Sequence, residues 1–202
     1  MDAKATLTCL LLALAPPALA QDAPTREPAQ VRPGRYVLDP SHGKITWSLS
    51  HMGFSTYAGQ FTGVEAELQL DPREPARSTL QAKVNTGNAA THDAALDAHL
   101  KTADFLDVDQ HPTAIFKATH VEPAGPRAAR ITGDLTLLGV TRPVTLEATF
   151  NQAGVSPIDQ RYTAGFDARA TLRRSEWGMT KFLPGLGDEV SLALEGEFKL
   201  VE

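Results

Sequence analysis

Residues Ile131–Phe150 read ITGDLTLLGVTRPVTLEATF and give the clearest indication of the fold. Apolar and polar residues alternate over 131–137, and they alternate again over 144–150. Successive side chains of a strand point to opposite faces, so each half is typical of a strand with one dry face and one wet face. Gly139 lies between the halves and can adopt the positive φ that a short hairpin loop often requires. The stretch therefore predicts an antiparallel β-hairpin.

The same alternation recurs along the rest of the chain, in runs near 36–38, 45–51, 64–70, 80–84, 114–118, 164–172 and 190–198. A turn is predicted over 39–43, where Asp-Pro is followed by Ser-His-Gly. The runs and the hairpin give about eight strands with short connections. Antiparallel strands with one apolar face must close on themselves or pack on a second sheet, and closure also removes exposed edges. We therefore expect an all-β fold, an extended eight-stranded antiparallel barrel, with an open sandwich as the second choice.

One segment departs from the strand pattern and favours a helix. Leu96, Leu100 and Ala103 share one helical face, and Thr91 is suited to be the N-cap. The spacing predicts one short helix near 92–103.

Residues 1–20 are typical of a cleaved signal peptide. Lys4 supplies a positive charge, an apolar run follows, and Ala18-Leu19-Ala20 resembles a cleavage site, so we expect cleavage after Ala20. The apolar run is too short for a transmembrane helix, and no later stretch approaches the necessary length. We expect a periplasmic protein without a stable membrane span. Secretion out of the cell is the less favoured alternative.

Composition narrows the class of the mature chain. The formal net charge of −5 argues against nucleic acid as a partner, because phosphate binding requires a basic face. The single cysteine, Cys9, lies in the predicted signal peptide, so the fold must be stable without disulfides. Residues 21–34 are rich in Pro and Ala and predict a flexible lead-in. Residues 35–202 are enough for one domain with a sizeable core.

Small residues are frequent on the predicted inner face, among them Ala66, Ala82, Ala114, Ala148 and Ala168. Such residues either taper a filled barrel or leave an apolar tunnel that suits a hydrocarbon chain. Each CH₂ group of such a ligand would contribute about 0.8 kcal/mol on burial. Alternation alone leaves a filled core and a lined cavity equally open.

The chain resembles the bacterial YceI-like proteins, exported polyisoprenoid-binding proteins with a lipocalin-like barrel. The resemblance lies in five stretches, which are YVLDPSHGKITWSLSHMGFSTYAGQF (36–61), HLKTADFLDVDQHPTAIFKAT (99–119), the hairpin at 131–150, RRSEWGM (173–179) and GDEVSLALEGEF (187–198). It implies a barrel that encloses a long isoprenoid chain. It also implies binding, storage or transport of that lipid without chemistry on it.

The predicted inner face and the resemblance together suggest the ligand contacts. The expected cavity lining is Trp47, Leu49, Phe54, Phe61, Ala82, Phe105, Phe116, Leu135, Leu146, Phe150, Phe166, Ala168, Trp177, Leu192 and Leu194. The candidate contacts to a polar head group near the mouth are His51, Asp97, His99 and Arg174. The chain carries Leu96 where family members often have an arginine, which weakens the case for a charged contact there. No cofactor is expected other than a bound isoprenoid lipid or a quinone-like amphiphile.

Histidines prompt an alternative function. We expect no metal site, because the six histidines are scattered. His92 and His99, seven residues apart, would be about 10 Å apart on a helix, too far for one zinc ion. No catalytic motif is present, but an enzyme that uses His51, His99 and Asp97 on a bound lipid remains an alternative. A structural barrel with a filled core is another alternative.

The expected partner is an isoprenoid or other long-chain lipid. A second copy of the chain in a homodimer is also possible.

Overall fold

The computed structural model describes residues 23–201, so the predicted signal peptide lies outside the described residues. The strands are β1 (Gly34–His51), β2 (Ser55–Phe61), β3 (Glu65–Leu70), β4 (Thr79–Asn85), β5 (Ala89–Ala90), β6 (Thr113–Pro123), β7 (Ala128–Leu137), β8 (Val140–Val155), β9 (Tyr162–Arg173) and β10 (Glu189–Leu200). The α-helix found in this range is α1 (Ala94–Leu100). Short 3₁₀ turns lie at Pro28–Gln30, Pro75–Arg77, Thr86–Asn88 and Arg174–Trp177.

The strands close into an antiparallel barrel, as the sequence predicts. Neighbouring strands pair in the order β10-β9-β8-β7-β6-β4-β3-β1, and β10 pairs with β1 to complete the ring. The first part of β1 pairs with β3 and the last part pairs with β2, so β2 and β3 act as one interrupted strand. In the same way β5 extends β4 beyond the turn at 86–88. The ring therefore has eight strand positions, which agrees with the expected barrel and rules out the open sandwich.

The hairpin predicted over residues 131–150 is formed by β7 and β8. Leu137 pairs with Val140, and the two residues between them, Leu138 and Gly139, have φ values of 51° and 72°. Positive φ at both central residues is the type I′ geometry that matches the twist of the strands. Leu137, Val144, Leu146 and Phe150 are buried and Ile131, Leu135 and Ala148 are partly buried, which agrees with the predicted dry face.

The helix is shorter than predicted and begins later. Its N-cap is Asp93, whose carboxylate accepts hydrogen bonds from the N–H groups of Ala95 and Leu96. Thr91, the predicted N-cap, instead donates its hydroxyl to Asp97 at 2.7 Å. The predicted turn at 39–43 is also different, because these residues stay within β1 as a shift in register between Leu38 and Gly43.

The segment predicted to be a flexible lead-in packs on one end of the barrel from Thr25 onward. Thr25 and Ala153 exchange backbone hydrogen bonds of 2.7 and 2.9 Å. Val31 is buried in the core, and the hydroxyl of Tyr36 donates to the Arg32 carbonyl at 2.6 Å. Burial removes the apolar Val31 side chain from water, and this stabilises the packed segment relative to a solvated linker. The composition of the segment alone did not reveal this contact.

Within residues 23–201, no helix combines the length and the hydrophobicity that crossing a membrane requires.

Candidate ligand-binding cavity

The interior of the barrel is hollow. A cavity of ≈ 450 Å³ lies at the end where α1 packs, and we call it the α1-side cavity. A second cavity of ≈ 360 Å³ extends toward the end that the N-terminal segment covers, and we call it the N-terminal cavity. The two cavities share the lining residues Ile45, Val84, Ala114, Leu135 and Leu192. They therefore adjoin inside the barrel, and each has a volume typical of small-molecule sites, roughly 300–1,000 Å³.

Most wall residues lie on the strands, where every second side chain points into the barrel. Of the sequence-predicted lining residues, the α1-side cavity contains Trp47, Leu49, Phe61, Phe105, Leu135, Trp177 and Leu192. The N-terminal cavity contains Ala82, Phe116, Leu135, Leu146, Phe150, Phe166, Ala168, Leu192 and Leu194. Period-two patterning finds the strand members because it identifies the inner face of each strand.

Phe54 is the exception among the predicted lining residues. It lies in the tight turn between β1 and β2, and its side chain is 89% exposed. It lines neither cavity. The assignment of Phe54 to the wall is therefore wrong, because the turn carries this residue out of the alternation that continues on both flanking strands.

Arg174 lies in the wall of the α1-side cavity, but its guanidinium faces the protein's own backbone. It is 3% exposed. Its N–H groups donate to the carbonyls of Met179, Lys181, Leu186 and Gly187 at 2.8–3.1 Å. Burial lowers the pKa of this guanidinium from its ordinary value. The predicted role for Arg174 as a head-group contact is not supported, because these carbonyls already occupy its donors.

Asp97 and His99 project differently from the same helix. Asp97 accepts hydrogen bonds from the backbone N–H and the hydroxyl of Thr91, both at 2.7 Å, and does not line a cavity. His99 lines the α1-side cavity, and its Nε2 lies 3.0 Å from Asp104. A hydrogen bond from His99, and to a smaller extent one from Lys181, holds the pKa of the Asp104 carboxyl below its ordinary value. Asp97 is therefore a local structural group, while His99 is a wall residue already engaged by a carboxylate.

His51 and Tyr57 supply the polar groups with spare hydrogen-bonding capacity at the mouth of the α1-side cavity. Both line the cavity, and their ring centroids are 6.0 Å apart. In the described part of the chain neither side chain has a hydrogen-bond partner. The imidazole can donate or accept, and so can the phenol. His51 was predicted, but Tyr57 was missed as a site residue because it follows an irregular turn.

Further wall residues of the α1-side cavity come from turns and from the helix. They are Met52, Leu96, Met179, Phe182 and Leu186. Leu96 places an apolar side chain in the wall, so the helix presents no charged group to the cavity at this position. Sequence periodicity could not identify the loop members, since residues 178–188 follow neither the strand period nor the helix period.

The walls are almost wholly apolar, and the remaining polar atoms are few. The Thr86 hydroxyl is buried and donates to the His111 carbonyl at 2.8 Å. The indole N–H of Trp47 is buried and has no partner among residues 23–201. No group of His, Cys, Asp and Glu in that range is arranged to hold a metal ion. Such a lining binds chiefly through apolar contact, with polar recognition confined to the mouth.

Comparison with known proteins agrees with this architecture. Residues 36–198 match the model of the YceI-like domain family. A UPF0312 protein of Ectopseudomonas mendocina is 37% identical over 164 residues, which is 80% of this chain and 85% of that protein. The crystal structure of Burkholderia cenocepacia BcnA superposes with a TM-score of 0.71 at 23% identity, covering 79% of this chain and 98% of that one.

A more distant structure shares the fold. It is described as a polyisoprenoid binding domain from Saccharophagus degradans, implicated in plant cell wall breakdown. It superposes with a TM-score of 0.60 at 8% identity and covers 84% of this chain and all of that one.

Proposed function

The chain belongs to the YceI-like domain family, and from this premise we propose that it binds, stores or transports a polyisoprenoid or a similar long-chain amphiphile in the barrel interior, without chemistry on it. The observation that carries the proposal is the pair of adjoining cavities with almost wholly apolar walls. An apolar chain gains free energy with every CH₂ group that leaves water, about 0.8 kcal/mol each. The structural neighbour described as a polyisoprenoid binding domain supports the same ligand class.

The shape of the interior favours a long ligand over a compact one. The two cavities meet at Ala114 and Leu135, which line both. A hydrocarbon chain could occupy them in succession, with its polar head near His51 and Tyr57 at the mouth. Those two side chains can hydrogen-bond a hydroxyl or a quinone carbonyl, so a polyprenol or an isoprenoid quinone fits the proposal.

The alternatives receive less support from the geometry. A barrel with a filled core does not fit cavities of ≈ 450 and ≈ 360 Å³. An acid–base site would require His51, His99 and Asp97 to act together, but Asp97 bonds Thr91 and His99 bonds Asp104. Export to the periplasm after cleavage behind Ala20 is part of the proposal and is supported by the pattern of residues 1–20.

Ala114 offers a direct test because it lines both cavities. In the variant Ala114→Phe the larger ring should divide the interior, so affinity for a long polyprenol should fall at least about tenfold, whereas affinity for farnesol, which needs one cavity, should change little. The measurement is a titration of the mature protein with each lipid, followed by intrinsic tryptophan fluorescence.

The matched control is Lys117→Phe, which adds the same ring at an exposed position on the same strand, β6. It should bind both lipids like the unmodified protein. The proposal is wrong if the unmodified protein binds neither lipid, or if Ala114→Phe binds the long polyprenol with undiminished affinity.

A further inference from the structure

Three of the four exposed large hydrophobic residues in the described part of the chain lie around the mouth of the α1-side cavity. They are Met52, Phe54 and Phe182, with exposed fractions of 55%, 89% and 49%. We call them the apolar rim. Met52 and Phe182 also line the cavity, so the wall continues without a break onto the outer surface. The fourth residue, Ile158, lies in the turn between β8 and β9 at the opposite end.

Two loops carry the rim, and backbone hydrogen bonds join them. The N–H of Met52 donates to the Gly185 carbonyl at 2.7 Å, and the N–H of Gly187 donates to the Ser50 carbonyl at 2.8 Å. Within the first loop, the N–H of Phe54 donates to the His51 carbonyl at 3.0 Å and closes a tight turn. These hydrogen bonds fix the two loops relative to each other, so the rim residues form one surface.

The rim also has the side chains that suit a boundary between hydrocarbon and water. The ammonium of Lys181 lies 5.3 Å from the centre of the Phe182 ring and forms an ion pair of 3.2 Å with Asp104. Lysine can place its stem along apolar surface while its charge remains in water. Aromatic side chains are favoured at the same boundary of a bilayer.

We propose that the apolar rim docks on the surface of a lipid bilayer, so that a membrane-borne ligand passes into the cavity without crossing water. The inference rests on the proposed function, because a long-chain ligand resides in membranes and its cost of crossing water grows with every CH₂ group. A rim that continues the cavity wall removes that crossing. The bilayer would then cover the exposed apolar area, as expected because large exposed apolar patches generally mark interaction sites.

Charge predicts the character of the docking. The chain has a formal net charge of −5, so attraction to anionic head groups does not drive it. Insertion of the rim residues should be governed by apolar burial, which salt affects little. Binding to phosphatidylcholine vesicles should therefore show little dependence on salt and should not improve when phosphatidylglycerol is added.

The test is co-sedimentation of the mature protein with phosphatidylcholine vesicles. Phe54→Ser should lower the vesicle partition coefficient by about tenfold, since a large aromatic side chain no longer enters the bilayer. Ile158→Ser is the matched control, because it removes a side chain that is 87% exposed at the other end and should leave partition unchanged. Both residues are largely outside the packed core, so both variants should unfold like the parent protein.

Three outcomes would overturn the docking proposal. The first is that the unmodified protein does not bind vesicles, and the second is that Ile158→Ser weakens binding as much as Phe54→Ser. The third is that analytical ultracentrifugation without vesicles shows a dimer that Phe54→Ser dissociates, since a second copy would then cover the rim.

Titration with farnesol separates this inference from the function on which it rests. Phe54 lines neither cavity, so Phe54→Ser should bind farnesol from solution with the parent's affinity. If the parent binds farnesol but not vesicles, docking fails and the lipid-binding proposal stands. If it binds vesicles but neither farnesol nor a polyprenol, the proposed function fails and ligand transfer fails with it, while docking of the rim on the bilayer stands.

Discussion

Arg174 connects the β9–β10 loop to the wall of the α1-side cavity. Its guanidinium holds four carbonyls between Met179 and Gly187, the segment that also supplies Phe182 and Leu186 to the cavity. A buried guanidinium with these four partners is a structural clamp, because its charge is satisfied only while the loop keeps the carbonyls in place. The shape of the cavity mouth therefore depends on a residue whose guanidinium is bonded to the protein's own backbone.

The clamp gives a prediction about stability. Arg174→Lys should lower the free energy of unfolding by about 2–4 kcal/mol, since the single ammonium cannot reach all four carbonyls and hydrogen bonds to charged groups contribute about 1.5–3 kcal/mol each. Urea denaturation measures the change. The adjacent Arg173→Lys is the control, because Arg173 is exposed and its 3.7 Å ion pair with Glu189 is a surface contact, so a change within about 0.5 kcal/mol is expected. Equal effects of the two substitutions would contradict the clamp.

Lys199 contributes to the response of the fold to acid. It is 5% exposed, and its ammonium lies 3.1 Å from Asp159 and 3.9 Å from Asp39. The hydrogen bond from Lys199 lowers the pKa of the Asp159 carboxyl from 3.8 to about 2. Since this pKa is lower in the folded state than in the unfolded state, the ion pair stabilises the fold fully above about pH 4, and that stabilisation is lost as the pH falls toward 2.

The ion pair between Lys199 and Asp159 should affect how steeply the free energy of unfolding changes with pH. In Asp159→Asn the decline of the unfolding free energy between about pH 4 and pH 2 should be shallower than in the parent. Lys199→Met should flatten the same interval, because the Asp159 pKa then returns toward its ordinary value. Denaturant titrations at several pH values measure both. An unchanged slope in both variants would show that the ion pair does not titrate with folding.

At the scale of elements, the N-terminal segment is part of the barrel's closure. Val31 is 4% exposed, and it and Pro28 line the end of the N-terminal cavity. The bridge between Thr25 and Ala153 fixes the segment to β8. A stretch that reads as a linker thus covers one end of the barrel.

Shortening the Val31 side chain tests this closure. Val31→Ala should lower the free energy of unfolding by about 2 kcal/mol, from the loss of two buried methyl groups and the space they leave. Ala29→Ser, at an exposed position of the same segment, should change it by no more than about 0.5 kcal/mol. Thermal or urea denaturation decides the matter, and an unaffected Val31→Ala protein would indicate a segment that does not contribute to the core.

The elements also show what the sequence could predict. The β7–β8 hairpin was predictable because alternation and a glycine turn are local signals, and the strand residues of the wall followed from the same period. The environments of Phe54 and Arg174 were not predictable, since both belong to turns whose conformations depend on distant partners. The hydrogen bonds between Asp97 and Thr91 were not predictable for a related reason, since they depend on where the helix begins.

At the scale of the whole molecule, barrel closure and cavity are one feature. The pairing of β1 with β10 joins the sheet edges, and the apolar inner faces then enclose space that their small residues do not fill. Closed strands leave few edges for aggregation. The same closure allows an apolar surface large enough for a lipid to remain hidden from water. Membership of the YceI-like domain family agrees with this closed barrel fold.

If the hollow interior holds an isoprenoid-type lipid, as we propose, that lipid should stay with the protein through purification and can be identified directly. The mature protein should be purified from its native host without added detergent, extracted with organic solvent and examined by mass spectrometry. We expect a single class of long-chain isoprenoid at about one molecule per chain. The absence of any stoichiometric lipid, in protein that is folded and full-length after cleavage, would contradict it.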